Sequence, residues 1–353
     1  MATVEVRSIT DSTNFSDIKR VSVSRSLNAP ASATIVLANV RGAKSFAANR
    51  GDVIRIKASP DTRTTIQTCF YGFITDIEST RTDFRITALD ALGYLTNEVL
   101  LTNPTSIASR SDGASIIKEI VSGSNYNLDL GKMIGQTRIV ISDGLSLTGR
   151  SRLDAVQTVM KTLNSTPNRF RIQGQLDSLD VIFDRLPEVD NSDFVAYIAG
   201  RLPRTSAPLD IYPTEIEREE TETDYVNVVT VQNSNLNIEV TEPTTTPTNP
   251  IQRLYEDNTV TDEAQARMVA RQILNQQGFT KNRWIVEADP HRFDIVAGDI
   301  IEFKSIDGGL AGRQMVFDVL WNITPDTTSM RLVVGRQEPD FLSSIRYAAN
   351  ISL

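Results

Sequence analysis

The heptapeptides GDVIRIK, at residues 51–57, and GDIIEFK, at residues 298–304, share one pattern of glycine, aspartate, two apolar residues, a charged residue, an apolar residue and lysine. Glycine before a strand tolerates positive φ, and the aspartate can accept hydrogen bonds from nearby backbone N–H groups. The alternation that follows is typical of a β-strand. We therefore interpret the two pairs as the same turn in two copies of a structural repeat: Gly51, Asp52, Gly298 and Asp299.

The sequence around the two heptapeptides also corresponds. From Gly51 to Arg85 there are 34 positions, and from Gly298 to Arg331 there are 33. Three strand-like segments match in order, Ile35–Ala38 with Ile285–Ala288, Phe73–Ile77 with Val316–Val319, and Phe84–Ala88 with Met330–Val334. The pattern predicts a duplicated β-module, although two ordinary antiparallel modules could share the same strand and turn signals.

The region between the two copies predicts a small α/β domain. Ala114–Val121 carries apolar residues at helical spacing, and Ser151 is placed to cap a second helix. Two short strands, Arg169–Ile172 and Leu179–Phe183, follow on either side of a turn.

A third helix interrupts the second copy. Thr261 is a plausible N-cap and Gly278 a plausible stop, with the Pro/Thr-rich loop 241–250 upstream. We expect this helix to be an insertion between the strand Asn227–Gln232 and the second Gly-Asp unit. Its apolar face comprises Ala266, Val269, Ala270, Ile273 and Leu274.

The bulk composition excludes several classes. With a net charge of −8 and scattered basic residues, the chain is a poor candidate for binding duplex nucleic acid. A single cysteine allows no internal disulfide. No apolar run approaches the roughly 20 residues of a membrane-spanning helix, and residues 1–8 lack a signal pattern. We expect assembly in a cytoplasm.

Four stretches resemble the central baseplate hub proteins of contractile phage tails (T-even hub-like), the tail-tip hubs of long-tailed phages and the hub half of type VI secretion spike proteins. They are the segment from 51 through FYGFI at 70–74 to TALD at 87–90, DYVNVVTV at 224–231, YED at 255–257 leading into the predicted helix, and the segment from 298 through Phe317 to Arg331. Each stretch alone is degenerate, and together they span most of the chain.

The resemblance implies an α+β, mainly β chain with two tube-type β-barrel modules, whose trimer forms a pseudo-hexameric ring that adapts a sixfold tail tube to a threefold spike. An acidic channel would let DNA pass without specific binding. The division that follows is 1–98, first barrel; 99–195, small α/β domain; 196–240, second barrel, first part; 241–282, loop and helix insertion; 283–338, second barrel, second part; 339–353, C-terminal tail.

Possible catalytic residues have simpler structural interpretations. A solvated strand or loop explains the acidic run Glu215, Glu217, Glu219, Glu220, Glu222 and Asp224 better than a calcium site, because no turn glycine is interleaved. His291 is the only histidine and lies in a turn, so no histidine-rich metal site is possible. Cys69 is expected to be buried, and Trp284 and Trp321 to anchor a core or an interface. We predict no catalytic, cofactor-binding or metal site.

Three functions remain open at this point. The first is a non-enzymatic structural hub of the virion tail. It would be homotrimeric and contact a tail tube or distal tail protein and a spike or tip protein, with tape measure and baseplate wedge proteins as further candidate partners. The second is a tail-associated protein that degrades or binds cell wall or polysaccharide on a hub-like scaffold. The third is a polysaccharide-binding β-protein of unrelated origin.

Overall fold

The computed structural model of the chain is mainly β with a smaller helical part, as expected. It describes residues 3–39, 48–59, 66–108, 112–125, 128, 130–133, 146–163, 170–186, 194–198, 211–221, 226–243, 250–257, 260–277, 281–290, 292–305, 310 and 312–335. The expected C-terminal tail, 339–353, lies outside these residues.

The first module is six strands in which buried and less buried residues alternate, as one-sided burial of a sheet requires. The strands are β1 (Thr3–Ser8), β2 (Ile18–Ser26), β3 (Ser32–Ala38), β4 (Val53–Ser59), β5 (Gln67–Ser79) and β6 (Asp83–Leu89). Their spatial order is β1-β4-β5-β6-β3-β2.

The middle domain follows without a break and has its own hydrophobic core. Its elements are α1 (Ala91–Asn97), α2 (Thr105–Ala108), α3 (Gly113–Ser122), β7 (Leu130–Met133), α4 (Arg152–Leu163), β8 (Phe170–Gly174) and β9 (Val181–Arg185). The strands form a small sheet in the order β7-β9-β8. Ser151 caps α4 as expected, because its hydroxyl oxygen accepts from the Asp154 N–H at 3.1 Å.

The second module is split by an insertion. It begins with β10 (Phe194–Ile198) and β11 (Ile211–Thr221). The insertion comprises β12 (Val228–Asn233), β13 (Ile238–Glu242), β14 (Gln252–Glu256) and α5 (Glu263–Gln277). The module is completed by β15 (Lys281–Pro290), β16 (Ile300–Ser305), β17 (Gly312–Ile323) and β18 (Thr328–Gly335).

Five strands of each module have the same neighbours in the same order. The order β4-β5-β6-β3-β2 in the first corresponds to β16-β17-β18-β15-β11 in the second, and all these neighbours are antiparallel. Two register shifts fall at equivalent residues: Thr75 corresponds to Phe317, and Lys19 to Thr214. A third shift, at Cys69 between β4 and β5, has no counterpart among the described pairs of β16 and β17. The sixth strand differs, because β1 is antiparallel to β4 whereas β10 is parallel to β16.

One part of the sequence alignment was off by one residue. Ile35 pairs with Ile86, and Val286 pairs with Leu332. Ile86 follows Arg85 by one position, and Leu332 follows the matched Arg331 by one position. Ile35 therefore corresponds to Val286, not Ile285. Both are fully buried, and a one-residue shift would turn the side chain to the other face of the sheet.

The two modules join into one twelve-stranded sheet because β2 pairs with β17. One hydrophobic core cluster contains residues from both. The described strands do not form two closed barrels: in residues 3–26 no pairing joins β1 to β2, and β10 meets β11 at the single pair Ala196–Ile211.

The insertion is larger than the sequence suggested. Asn227–Gln232 was expected to be an early strand of the second module. Instead Val228–Asn233 lies at the centre of a separate sheet, between β13 and β14. Its valines pack on α5 in a core of their own, where Ala266, Ala270 and Ile273 contribute the expected helix face. Hydrophobic pattern alone cannot assign a strand to one of two sheets.

The N-cap of α5 is Asp262 rather than Thr261. The Asp262 carboxylate accepts from the Gln265 N–H at 2.8 Å, and the Gln265 side chain accepts from the Thr261 N–H at 2.8 Å. An aspartate at this position satisfies a free helix N–H better than the preceding threonine could. The predicted stop at Gly278 lies outside the described residues.

Asn28 fastens the middle domain to the first module. It lies in the turn between β2 and β3 with φ of 60°, and it is 4% exposed. Its side-chain oxygen accepts from the Ile172 N–H of β8 at 2.8 Å, and its carbonyl accepts from the Gln157 side chain of α4 at 2.9 Å.

We expect Asn28→Gly to lower the free energy of unfolding by about 1–3 kcal/mol, because the buried Ile172 N–H loses its acceptor. Asn28→Ala should cost about 1 kcal/mol more, since alanine is disfavoured at positive φ whereas glycine is not. Urea unfolding of the two variants beside the parent chain measures both effects. Equal stability in all three proteins would contradict this role.

Candidate functional site: the Gly-Asp turns and the buried junction

The two Gly-Asp turns have the same backbone conformation. Gly51 has φ of 89° and Gly298 has φ of 96°, a region that favours glycine. The Asp52 carboxylate accepts from the Asn49 N–H at 2.8 Å, and the Asp299 carboxylate accepts from the Val296 N–H at 2.8 Å. Each aspartate therefore closes the turn that precedes its own strand.

The backbone bonds of the turns also match. The Gly51 N–H donates to Ile74 O at 2.8 Å, and the Ile74 N–H donates to Asp52 O at 2.9 Å. In the second module, Gly298 donates to Val316 O at 2.7 Å, and Val316 donates to Asp299 O at 2.9 Å. Each turn thus fixes the start of one strand against the register-shifted part of the next.

The surroundings of the two turns differ. Arg171 of β8 donates to Asp299 Oδ1 at 3.1 Å and to Ala297 O at 3.3 Å. The same guanidinium binds both oxygens of Asp184, at 2.8 and 3.2 Å. A Cβ atom at Gly298 would lie 2.9 Å from Arg171 Cδ and from Leu186, whereas one at Gly51 would meet nothing within 4 Å. The middle domain therefore covers the second turn and leaves the corresponding side of the first uncovered.

Two further buried ionisable residues, Arg25 and Asp90, lie where the first module meets the middle domain. Arg25 of β2 is 4% exposed and donates to the Cys69 carbonyl at 3.2 Å. Asp90 is 1% exposed and caps α1 by accepting from the Leu92 N–H at 3.1 Å. Burial raises the pKa of Asp90 to about 6, against the opposing effects of Arg25 and nearby backbone N–H groups.

The sequence did not single out Asn28, Arg171 or Asp90. Asp90 is the last residue of the TALD stretch at 87–90, which was quoted for its resemblance. No local pattern at Asn28 or Asp90 indicates that the side chain contacts another secondary-structure element. Arg171 gave no local signal for its contact with Asp299, which lies 128 residues further along the chain.

The described members of the acidic run lie along one strand, β11. Glu215 and Glu217 are exposed on β11, and Glu219 and Glu220 belong to the same strand. Glu222, Asp224 and His291 lie outside the described residues. Within the part of the chain that the structure describes, no three His, Cys, Asp or Glu side chains are placed to hold a metal ion.

Cys69, Trp321 and Trp284 have structural surroundings. Cys69 is fully buried, and burial raises the pKa of its thiol to about 12. Trp321 is fully buried with its ring centre 6.4 Å from that of Phe293. Trp284 lies on β15 under the Arg218 guanidinium, 5.7 Å from the ring centre. Among the helices described, none is long and apolar enough to cross a membrane.

The fold is that of phage tail proteins. The chain is similar to the 43 kDa tail protein of prophage MuSo2 from Shewanella oneidensis, with 10% identity, a TM-score of 0.62 and coverage of 94% of this chain and 97% of that one. It is similar to the tail protein from Neisseria meningitidis MC58, with 11% identity, a TM-score of 0.64 and coverage of 95% and 97%.

A type VI secretion protein shares the fold. The E. coli c3393 protein, described as a component of that system with structural similarity to the T4 tail proteins gp27 and gp5, has 11% identity and a TM-score of 0.55 over 96% of this chain and 77% of that one. A family model described as YQBQ-like matches residues 21–188. No curated protein matches the chain in sequence. The resemblance to hub-like tail proteins is confirmed at the level of the fold.

We expect Asp299→Asn to lower the free energy of unfolding by about 1–3 kcal/mol more than Asp52→Asn. Asparagine keeps an acceptor for the turn N–H in both cases, but only Asp299 also neutralises a buried guanidinium. Chemical unfolding of both variants provides the measurement, and the first module's aspartate is the matched control. Equal losses would show that Arg171 gains nothing from Asp299.

Asp90 should make the stability of the fold depend on pH. Its pKa is raised from 3.8 to about 6, so the folded chain holds the proton more tightly than the unfolded chain. Its contribution to stability is therefore largest below about pH 4 and is lost as pH rises to about 6. Asp90→Asn should flatten this part of the pH profile in urea unfolding. A profile unchanged by the substitution would contradict the assignment.

Proposed function

We propose that this chain is a structural hub of a phage or phage-like tail, and that three copies form a ring of six similar modules. The observation that carries the proposal is the five-strand correspondence between the two modules, with matching register shifts and matching Gly-Asp turns. A chain with two such modules supplies six positions in a trimer, so it can contact a sixfold tube while remaining threefold itself. The shared fold of tail proteins supports the same role.

The correspondence also favours gene duplication over chance similarity. Generic strand and turn signals would account for two antiparallel sheets, but they do not require two bulges at equivalent positions. We take the two modules to be tube-type barrels whose sheets are completed when the copies assemble. The first is built from residues 1–98, and the second from 196–240 with 283–338, without the inserted strands. The middle domain, about 99–195, and the insertion would then project from the ring.

The partners follow from this role. A tail tube or distal tail protein would contact one side of the ring and a spike or tip protein the other, with tape measure and baseplate wedge proteins as further neighbours. The protein would reside in the virion tail after assembly in the host cytoplasm. Its net charge of −8 would let DNA pass a central channel without binding, since like charges repel.

The proposal assigns the chain no catalytic role. The alternative of a lytic or polysaccharide-binding protein needs a cluster of reactive side chains, and the described carboxylates of β11 are spread along an exposed strand. Degradation of cell wall or polysaccharide by the purified chain, abolished by Glu215→Gln with Glu217→Gln, would replace the structural proposal with that alternative.

We expect purified protein to have a mass three times that of the chain in light scattering, and to show threefold ring-like particles in electron micrographs. A concentration series separates a weak trimer from a stable monomer, because association follows mass action. A monomer at every concentration reached would overturn the trimer.

A further inference from the structure

The joint between the two modules of one chain has a defined strand register. The final part of β17 pairs with β18 on one edge and with β2 on the other. Along the second edge Leu320 lies opposite Ser24, Trp321 opposite Val23 and Asn322 opposite Ser22. The Ser22 hydroxyl and the Asn322 side-chain oxygen are 2.9 Å apart, so these two side chains lie on the same face and touch.

Among the residues that the structure describes, the corresponding edges at the end of β5 and along most of β11 have no partner strand. β5 corresponds to β17, and its end from Asp76 to Ser79 pairs only with β6 among the described residues. β11 corresponds to β2, and past Ile211 it pairs only with β15 in the described part. Within the described ranges, these two strand edges are therefore unpaired, whereas the equivalent edges of β17 and β2 pair with each other.

The exposure of side chains follows the same division. Val319 and Trp321 of β17 are buried, whereas the corresponding Ile77 is half-buried and Ser79 is exposed. Backbone N–H and C=O groups along an unpaired edge can bind another strand, and natural proteins cover such edges or pair them. The edges of β17 and β2 pair with each other, whereas the described equivalent edges on β5 and β11 have no partner strand. A second copy of this chain would supply a strand of the right shape for each.

We propose that β11 of one copy pairs antiparallel with the end of β5 in the next copy, and that it repeats the register of the β2–β17 joint. This inference rests on the proposed ring and names the contact that closes it. Transferring the register places Glu219 opposite Glu78, Arg218 opposite Ser79, and Glu217 opposite Thr80 of the next copy. The contact joins two different surfaces, so it is heterologous and can close into a ring.

The chemistry of the new joint is more polar than that of the internal one. The internal joint places Val23 opposite the buried Trp321, whereas the joint between copies places exposed Arg218 opposite exposed Ser79. Polar edges suit a surface that must stay soluble until it meets its partner. The buried internal edge never separates from its partner while the chain is folded.

The two glutamates that meet each have an arginine in register on their own module. Glu78 pairs in register with Arg85, and their charged groups are 3.4 Å apart. Glu219 is paired in register with Arg283 on β15. The row across the joint therefore reads Arg85, Glu78, Glu219 and Arg283 in strand register. The Arg85 guanidinium beside Glu78 offsets part of the repulsion that two opposed glutamates would create.

A disulfide between copies tests the register directly. In the double variant Thr80→Cys with Glu217→Cys, each copy should bond to the next, and oxidation should give a covalent trimer on a non-reducing gel. Opposite residues in an antiparallel pair have Cβ atoms within about 5.5 Å, close to disulfide geometry. Cys69 should not compete, because its buried thiol has a pKa raised to about 12.

The internal joint supplies the positive control. Ser22→Cys with Asn322→Cys occupies the same two register positions within one chain, so it should oxidise without a change in mass. Thr80→Cys with Ile216→Cys is the negative control, because Ile216 precedes Glu217 by one residue and points to the other face. Each single-cysteine variant should give no covalent trimer.

The outcomes separate this inference from the proposed function. A trimer in light scattering with no covalent trimer, while the internal control oxidises, overturns the register and leaves the hub proposal standing. Equal cross-linking by the Thr80 and Ile216 pair also overturns the register. A chain that stays monomeric throughout overturns both proposals.

Discussion

Edge pairing of β2 with β17 determines how the rest of the molecule is arranged. Six residues of each strand form this ladder, from Val21 opposite Ile323 to Ser26 opposite Asp318. The pairing satisfies backbone groups that would otherwise lie along two open edges, and it makes one continuous sheet from two modules. Because Trp321 and Val23 face each other at its centre, the joint is also part of the hydrophobic core. The relative orientation of the modules is therefore set by strand register and not by a flexible linker.

The middle domain fixes the same arrangement from outside the sheet. Asn28 attaches it to the first module, and Arg171 attaches it to the second through Asp299. These contacts are short-range and directional, so they tolerate little rotation of one module against the other. Buried ion pairs contribute modest net stability, but removing one partner leaves an uncompensated charge. This sensitivity suits a component whose task is to hold two modules in one geometry.

Sequence reasoning recovered what local pattern determines. Alternation located the strands of the first module, and the Gly-Asp pairs located turns that prove to have positive φ and matching hydrogen bonds. It could not place Val228–Asn233, because a valine-rich strand has the same pattern in either of two sheets. It also could not find the contact of Arg171 with Asp299 or that of Asn28 with Ile172. The two residues of each contact lie more than a hundred positions apart in the chain. Long-range polar contacts leave no periodic trace in a single sequence.

The two modules are alike in backbone but not in surroundings, and this difference bears on how a trimer could relate sixfold and threefold neighbours. The turn at Gly298 lies under Arg171 and Leu186, whereas the same side of Gly51 has no atom within 4 Å of a Cβ position. In the proposed ring, strand positions would repeat six times, because the five-strand frameworks correspond. The covered and uncovered turns would alternate, so this face would repeat three times. A tube subunit that contacts only the strand framework would find six equivalent sites on the ring. A spike that contacts the side chains around the turns would find three.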